Sequence, residues 1–124
     1  MKKRVLLVTD NHDFRALMKE YLSKGFEVKL SETGEDAYRL IENGYYPDLI
    51  ISEFTMNLPD GKRFVVKIKS KEKYMNIPLL ILSGNDRTVA RLDLMRNSSS
   101  GYIVKPFSLH DFEERVNRLI EVRA

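Results

Sequence analysis

The sequence predicts an α/β fold, a doubly wound (βα)5 arrangement in which five parallel strands are covered by helices on both faces. Short apolar runs alternate with amphipathic segments along all 124 residues, as in chains built from repeated strand–helix units. Most of the predicted strands are nearly unbroken apolar runs, which is typical of strands buried on both faces. The length suits one compact domain, 1–124, and no repeat or linker divides it.

The first half of the chain supplies three strands and two helices. Strands are predicted at Val5–Val8, Phe26–Leu30 and Leu49–Ile51. The second of these alternates apolar and polar residues, which favours an edge position. Apolar residues at three- and four-residue spacing predict helices at about 12–24 and 34–43, each followed by a glycine. Their inward faces are expected at Phe14, Leu17, Met18, Tyr21, Leu22, Ala37, Leu40 and Ile41.

The second half adds three helices and two strands. A loop at 54–60 leads into a third helix, whose buried stripe is expected at Phe64, Val65 and Ile68. A strand follows at Leu79–Leu82, and a fourth helix at about 86–97. A turn at 98–101 then leads into a fifth strand at Tyr102–Val104. Ser108, with Asp111 three residues further on, is an N-cap candidate for the last helix. The core face of that helix is expected at Leu109, Phe112, Val116, Leu119 and Ile120.

Composition limits the classes of function. No apolar run approaches the about 20 residues that cross a bilayer, and no signal peptide precedes the first strand, so no membrane location is expected. The sequence has no cysteine, which excludes disulfides, thiolate metal sites and cysteine nucleophiles and fits a cytoplasmic location. We also find no Gly-rich phosphate loop and no nucleophile paired with a histidine, so a small-molecule enzyme is not expected.

A basic stretch lies at 62–73 in a chain of net charge +3. Its cations are Lys62, Arg63, Lys67, Lys69, Lys71 and Lys73. A solvated helix face is the simpler interpretation, and a contact with nucleic acid or an acidic partner is the alternative. Tyr74 is the one aromatic residue beside the stretch, which is too little for a base-stacking surface, so we do not expect this domain to bind nucleic acid.

Four of the predicted strands end on residues that can do chemistry. Asp10 and Glu53 are carboxylates, and Ser83 and Lys105 carry a hydroxyl and an ammonium group. The carboxyl ends of parallel strands meet at one edge of an open sheet, where ligands bind. These groups therefore predict a site for a divalent cation and a phosphoryl group, although Asp10 is also a candidate N-cap of the first helix.

The order and spacing of these segments resemble the receiver domain of bacterial two-component response regulators, which has a flavodoxin-like fold. The likeness covers the whole chain. It is carried by Val5–Asp10, Pro47–Glu53, Pro59–Gly61, Ile77–Gly84 and Gly101–Phe107.

The resemblance implies a phosphorylation site at the edge of the sheet. In that family an aspartate at the position of Glu53 accepts phosphate from a histidine kinase. Acidic residues at the positions of Thr9 and Asp10 hold Mg²⁺, and the backbone carbonyl of the residue at Thr55 completes the metal site. Ser83 and Lys105 complete the site, and the resemblance implies that their hydroxyl and ammonium groups receive the phosphoryl oxygens.

The resemblance also implies a conformational switch and a partner surface. Ser83 and an aromatic residue at Tyr102 would form the switch, and a cis peptide bond is expected between Lys105 and Pro106. The family generally binds its partners through the fourth helix, the fifth strand and the fifth helix.

The chain departs from the family at two central positions. Thr9 removes one negative charge from the cation site, so we expect Mg²⁺ binding by Asp10, Glu53 and Thr55 to be weakened. Glu53 is longer than aspartate by one methylene, about 1.5 Å, and a misplacement near 1 Å can cost on the order of a hundredfold in rate. The same methylene carries the carboxylate towards Ser83 and Lys105. An ion pair with Lys105 would imitate part of the phosphorylated state.

These departures predict a pseudo-receiver that signals through protein contacts and has at most residual self-catalysed phosphotransfer. The expected partner is a histidine kinase or another signalling protein, with a homodimer as a further possibility and a fused or separate output domain left open. Two alternatives remain: a slow but functional phosphoacceptor that depends on Mg²⁺, and a nucleic-acid contact through the stretch 62–73.

Overall fold

A computed structural model describes residues 2–54, 59–83 and 100–123. Within these residues the chain forms five strands and four helices. The strands are β1 (Lys3–Val8), β2 (Phe26–Ser31), β3 (Leu49–Phe54), β4 (Leu79–Ser83) and β5 (Ser100–Val104). The helices are α1 (His12–Leu22), α2 (Gly34–Glu42), α3 (Pro59–Ser70) and the C-terminal helix (Leu109–Arg123).

The five strands form one parallel sheet in the order β2-β1-β3-β4-β5, which confirms the predicted fold class. The strand with alternating polarity, β2, lies at an edge as predicted. The chain moves outward from β1 in one direction to β2 and in the other direction to β3, β4 and β5. This reversal of strand order is the point at which open α/β sheets place their ligand sites.

Alternating side chains of the strands build a separate core on each face of the sheet. Leu6 and Val8 pack beneath α2 and α3, in what we call the α2 core. Val5 and Leu7 pack beneath α1 and the C-terminal helix, in the α1 core. Because successive strand residues point to opposite faces, the position of a residue in its strand decides which pair of helices it meets.

The helix ends are capped mainly by short polar side chains. Asn11, and not Asp10, is the N-cap of α1, and its side chain accepts a hydrogen bond from the backbone N–H of Phe14 at 2.9 Å. The predicted cap of the C-terminal helix is confirmed, because the Ser108 hydroxyl accepts from Asp111 N–H at 3.0 Å. Gly44 follows α2 with φ at +106°, a conformation that favours glycine.

Several predicted boundaries and core positions were wrong. Leu17 and Leu109, expected in the core, are 61% and 50% exposed. Strand β3 continues through Glu53 to its end at Phe54, and α3 begins directly at Pro59, a residue well suited to the first turn of a helix. The fourth predicted helix and residues 98–99 lie outside the described residues.

The predicted turn at 98–101 was partly wrong, because Ser100 and Gly101 belong to β5. A Cβ atom at Gly101 would lie 3.3 Å from Cδ1 of Leu119. The missing side chain therefore allows the C-terminal helix to pack closely on β5.

Lys69 is buried, although the sequence placed it in a solvated basic stretch. Its side chain is 8% exposed, and Nζ donates hydrogen bonds to the carbonyls of Met75 and Ile77, each at 3.0 Å. These bonds join α3 to the connection that leads into β4. Burial lowers the pKa of the Lys69 ammonium from 10.5 to about 8.

No helix in the described part of the chain combines the length and the apolar character that crossing a bilayer requires.

The lowered pKa of Lys69 makes stability depend on pH in a specific direction. The unfolded chain holds this proton more tightly than the folded chain, so the folded state gains stability as pH rises from about 8 towards 10.5. Between about pH 7.5 and pH 9.5 we expect the free energy of unfolding of the wild type to rise by on the order of 1 kcal/mol relative to Lys69→Met. Urea unfolding at each pH measures it.

The exposed neighbour Lys71 provides the matched control. Lys71→Met is expected to retain the pH dependence of the wild type, because its ammonium is already in water. Parallel pH profiles for the wild type and Lys69→Met would contradict the prediction.

Candidate functional site

Strand alternation brings Thr9, Glu53 and Lys105 to the same face at the carboxyl edge of the sheet. Each comes two residues after a strand residue of the α1 core. Those core residues are Leu7, Ile51 and Ile103. The three predicted site residues therefore lie under α1 and the C-terminal helix.

Glu53 and Lys105 form a close ion pair. Lys105 Nζ lies 2.6 Å from Glu53 Oε1, which confirms the predicted proximity of the two side chains. The side chains of Glu53 and Lys105 are 10% and 36% exposed, so the carboxylate is largely removed from water while the ammonium is still partly hydrated. A charge-assisted hydrogen bond at this distance is stronger than one between neutral groups.

The pair reaches across an intervening strand. Glu53 lies on β3 beside Leu82 of β4, and Lys105 follows the last residue of β5. Neighbouring strands are about 4.8 Å apart, so β3 and β5 are separated by roughly 10 Å. The two long side chains together cover this distance.

Two further contacts define the position of Lys105. Its backbone N–H donates to the carbonyl of Ser83 at 2.8 Å, which continues the β4–β5 pairing beyond the end of β5. Its Nζ lies 4.9 Å from the centre of the Phe14 ring, within the range of a cation–π contact. The peptide bond between Lys105 and Pro106 is cis, as the family resemblance implied.

Thr9 supports the loop before α1. Its side chain is buried, and Oγ1 accepts a hydrogen bond from the backbone N–H of Asn11 at 3.1 Å. Its backbone N–H donates to the carbonyl of Ser31 at 3.0 Å. The neighbouring Asp10 is exposed.

The residues predicted to hold Mg²⁺ offer few free oxygen ligands. Glu53 Oε1 is bound to Lys105, and Thr9 supplies a neutral hydroxyl where the family has a carboxylate. Asp10 remains as an exposed carboxylate, and Thr55 lies outside the described residues. Across the described segments, no three acidic or histidine side chains are grouped so that they could hold a metal ion.

The two predicted switch residues are Ser83 and Tyr102. Ser83 is buried at the end of β4, and its backbone carbonyl contacts the backbone of Lys105. Tyr102 is half-buried against the α2 core, and its carbonyl accepts a hydrogen bond from the Arg115 guanidinium of the C-terminal helix. Their functional roles stay predictions.

An exposed polar cluster borders the site at the start of α1. Arg15 Nη1 lies 3.0 Å from the Glu32 carboxylate, and Arg15 Nη2 lies 3.1 Å from Nδ1 of His12. The Arg15 side chain itself is largely buried, whereas its partner Glu32 is exposed. His12 is the first residue of α1, and its contact with Arg15 lies within the helix.

A groove of about 540 Å³ lies on the predicted partner surface. It is lined by residues of β5 and the C-terminal helix, and by Phe107 of the segment between them. Tyr102 and Val104 line one side, and Arg115 and Arg118 line the other. The groove thus combines apolar and charged side chains.

The basic stretch 62–73 is not one continuous charged face. Lys69 is buried, and the Lys67 ammonium lies 4.2 Å from the centre of the Tyr38 ring. Arg63, Lys71 and Lys73 are exposed. The aromatic partner Tyr38 comes from α2, so sequence proximity gave no sign of it.

Sequence reasoning missed two residues of the site, Asn11 and Phe14. Phe14 was assigned to the core stripe of α1, and its ring does pack against the α1 core while also contacting Lys105. Asn11 follows Asp10, the residue that the sequence predicted as the N-cap of α1. The contact between Phe14 and Lys105 has no sequence signal, because the two residues are distant in the chain, whereas the hydrogen bonds of Asn11 are local.

Comparison with known proteins places these observations in a family. The family model described as "Response regulator receiver domain" matches residues 5–117. The sensor histidine kinase TmoS of Ectopseudomonas mendocina is 33% identical over 120 residues, which cover 97% of this chain and 12% of that protein. The uncharacterized transcriptional regulatory protein YcbL of Bacillus subtilis is 32% identical over 93% of this chain and 50% of its own length.

Solved structures show the same architecture. The response regulator TrrA of Thermotoga maritima, in complex with Mg²⁺-BeF, has a TM-score of 0.78 and 30% identity, covering 96% of this chain and 99% of that one. The receiver domain of the sensor histidine kinase PA1611 of Pseudomonas aeruginosa, with a magnesium ion in its active-site cleft, has a TM-score of 0.79 and 25% identity. It covers 98% of this chain and 99% of that one.

The ion pair is expected to stabilise the folded state. A double-mutant cycle with Glu53→Gln and Lys105→Met should give a coupling free energy of about 1 kcal/mol, because the carboxylate is largely desolvated. Urea unfolding of the wild type, both single variants and the double variant measures it. The exposed pair Glu35–Arg39 is the control, with an expected coupling below about 0.5 kcal/mol. Equal coupling in the two pairs would show that the Glu53–Lys105 contact is not special.

Proposed function

Because the chain belongs to the response regulator receiver domain family, we propose that it is a pseudo-receiver of a two-component system, whose conformation is set by its sequence and its partners and not by phosphorylation. The Glu53–Lys105 ion pair is the single observation on which this proposal mainly rests. The family's acceptor position is occupied here by Glu53, which is longer than aspartate and is already paired with the Lys105 ammonium.

The ion pair disfavours phosphate transfer to Glu53. A carboxylate that attacks phosphorus needs a free lone pair in line with the leaving group, and phosphoryl transfer depends mostly on such positioning. Glu53 Oε1 lies 2.6 Å from the Lys105 ammonium, and this charge-assisted hydrogen bond lowers the nucleophilicity of that oxygen. The extra methylene also moves the carboxylate from the place that an aspartate would take.

Weak Mg²⁺ binding follows from the same substitutions. TrrA and the PA1611 receiver domain were each solved with magnesium. In the present chain Thr9 contributes no charge, and its hydroxyl oxygen accepts a hydrogen bond from Asn11. Mg²⁺ binds in proteins through carboxylates and waters in a strict octahedral shell. We propose that Asp10 alone, with Glu53 held by Lys105, binds the ion poorly.

The ion pair imitates part of a phosphorylated receiver. It places a negative group beside the Lys105 ammonium, as an acyl phosphate at the acceptor position would. The imitation is incomplete, because a carboxylate has one negative charge and two oxygens, whereas a phosphate has nearly two charges and three acceptor oxygens. The module would therefore rest between the two states of a switching receiver.

The proposed output is a protein contact through β5 and the C-terminal helix. The groove there presents Tyr102, Phe107, Arg115 and Arg118 to a partner. Relatives that are histidine kinases or transcriptional regulators support a histidine kinase or another signalling protein of the cytoplasm as that partner. The chain spans 12% and 50% of those two relatives, so a homodimer and a fused or separate output domain remain further proposals.

Two alternatives have less support. A slow Mg²⁺-dependent phosphoacceptor would be at most a self-catalysed phosphotransfer and requires the Glu53 carboxylate to leave Lys105. A nucleic-acid contact through 62–73 would have to work without Lys69, which is buried. The pseudo-receiver is the function that the described contacts favour.

Phosphorylation is tested directly with a small acyl-phosphate donor and Mg²⁺. Intact-mass analysis is expected to show no stoichiometric addition of phosphate to the wild type, because Glu53 is misplaced and bound to Lys105. The combined variant Thr9→Asp, Glu53→Asp is expected to gain phosphate, since it restores both of the family's carboxylates.

The single variant Glu53→Asp distinguishes the pseudo-receiver from the slow phosphoacceptor. A sharp gain of phosphate in Glu53→Asp alone would support the slow phosphoacceptor, because the metal site would then be adequate without an acid at Thr9. Stoichiometric addition at Glu53 of the wild type would refute the pseudo-receiver.

Metal binding is tested separately from phosphate transfer. Titration with Mg²⁺, followed by the backbone amide NMR signals of Asp10 and Glu53, is expected to show saturation at much lower concentration in Thr9→Asp, Glu53→Asp than in the wild type. The reason is the number of free carboxylates at the site. Equal titration curves for the two proteins would contradict weakened binding.

A further inference from the structure

The Lys105 ammonium lies between two groups of different chemistry. Glu53 Oε1 is 2.6 Å from Nζ, and the centre of the Phe14 ring is 4.9 Å from the same atom. The carboxylate belongs to β3, whereas the ring belongs to the first turn of α1. Lys105 therefore connects a strand end to a helix that is distant in the sequence.

Hydrogen bonds to the loop before α1 hold the backbone that carries the Phe14 ring. The backbone N–H of Phe14 donates to the Asn11 side chain at 2.9 Å, and the backbone N–H of Asn11 donates to Thr9 Oγ1 at 3.1 Å. Thr9 is buried, so this loop has a fixed anchor. A continuous series of contacts thus leads from Thr9 through Asn11 and Phe14 to Lys105 and Glu53.

We propose that Phe14 is a positioning residue that holds the Lys105 ammonium on Glu53, and that the two unusual residues of this site, Thr9 and Glu53, act together through it. The inference rests on the proposed function, because the ion pair is the feature that sets the state of the module. It assigns to Phe14 a role beyond filling the α1 core.

The physical reason is the partial exposure of the cation. The Lys105 side chain is 36% exposed, so water competes with Glu53 for the ammonium group. The face of an aromatic ring attracts a cation and covers one side of it at the same time. The half-buried ring of Phe14 therefore reduces the freedom of Lys105 to leave the carboxylate.

The test measures Lys105 itself. The first readout is the NMR signal of its side-chain methylene protons, which the Phe14 ring current shifts away from the signals of exposed lysines. The second is the rate of amine acylation by acetic anhydride at low reagent, read by peptide mass spectrometry against exposed Lys24 in the same sample. Phe14→Leu is expected to remove the ring-current shift and to raise Lys105 labelling about two- to fivefold.

Two further comparisons distinguish a positioning role of Phe14 from a merely structural one. The first is the energetic coupling between Phe14 and Glu53, and the second is the effect of conservative variants. Phe14→Leu should have a smaller effect on Lys105 labelling in the Glu53→Gln background, because the ring then has no ion pair to maintain. Phe14→Tyr keeps the ring face and should label like the wild type. Thr9→Val, which lacks the hydroxyl that Asn11 needs, should raise labelling, whereas Thr9→Ser should not.

Phe26→Leu is the matched control, since Phe26 also packs against the α1 core but lies at the opposite end of the sheet. Equal Lys105 labelling in Phe14→Leu and Phe26→Leu would overturn the proposal, as would independent effects of Phe14→Leu and Glu53→Gln. If Phe14→Leu does not fold, the Thr9→Val and Thr9→Ser pair decides the result. None of these measurements involves phosphate or Mg²⁺, so their failure is distinct from failure of the pseudo-receiver proposal.

Discussion

A carboxylate on β3 and an ammonium beyond β5 meet across the end of β4, and the rest of the site depends on this one contact. The sheet order puts roughly 10 Å between β3 and β5, so only long side chains cover the distance. Glu53 and Lys105 do so at 2.6 Å. The contact involves the acceptor position, and the same ammonium lies beside the ring of Phe14.

The Glu53–Lys105 contact and the neutral Thr9 leave less uncompensated negative charge at this site than a receiver with the family's acidic residues would have. A receiver site with several neighbouring carboxylates is destabilised by their mutual repulsion. A bound metal ion offsets that repulsion. Here Thr9 is neutral and hydrogen-bonded, and the charge of Glu53 is matched by Lys105. Thr9 and Glu53 are therefore satisfied by the protein's own groups, whereas the Asp10 carboxylate is exposed to water. Family membership explains the architecture, whereas these two substitutions explain why the same architecture is proposed to work without phosphate.

Lysines of this chain show how strongly location changes the role of one residue type. Lys69 is buried and joins α3 to the connection before β4, Lys67 covers the Tyr38 ring, and Lys105 pairs with Glu53. Among the described side chains of the basic stretch, the exposed lysines are Lys67, Lys71 and Lys73. The mild positive charge of the domain is thus less available to an external polyanion than the composition suggests. The contact that we propose is accordingly with a protein partner at β5 and the C-terminal helix.

The sequence by itself determined the fold and the proximity of Glu53 to Lys105. Apolar runs of strand length alternating with amphipathic segments predicted the parallel sheet and its edge strand β2, because these patterns are local. The reactive residues at the strand ends predicted that Glu53 meets Lys105, because parallel topology brings strand ends together. Leu17 and Leu109 show the limit of that reasoning, since a helical stripe does not reveal how wide the buried face will be. The contact of Phe14 with Lys105 and the burial of Lys69 were decided only in the tertiary structure. Each depends on how a helix is seated on the sheet, and that seating is settled by packing of the whole core.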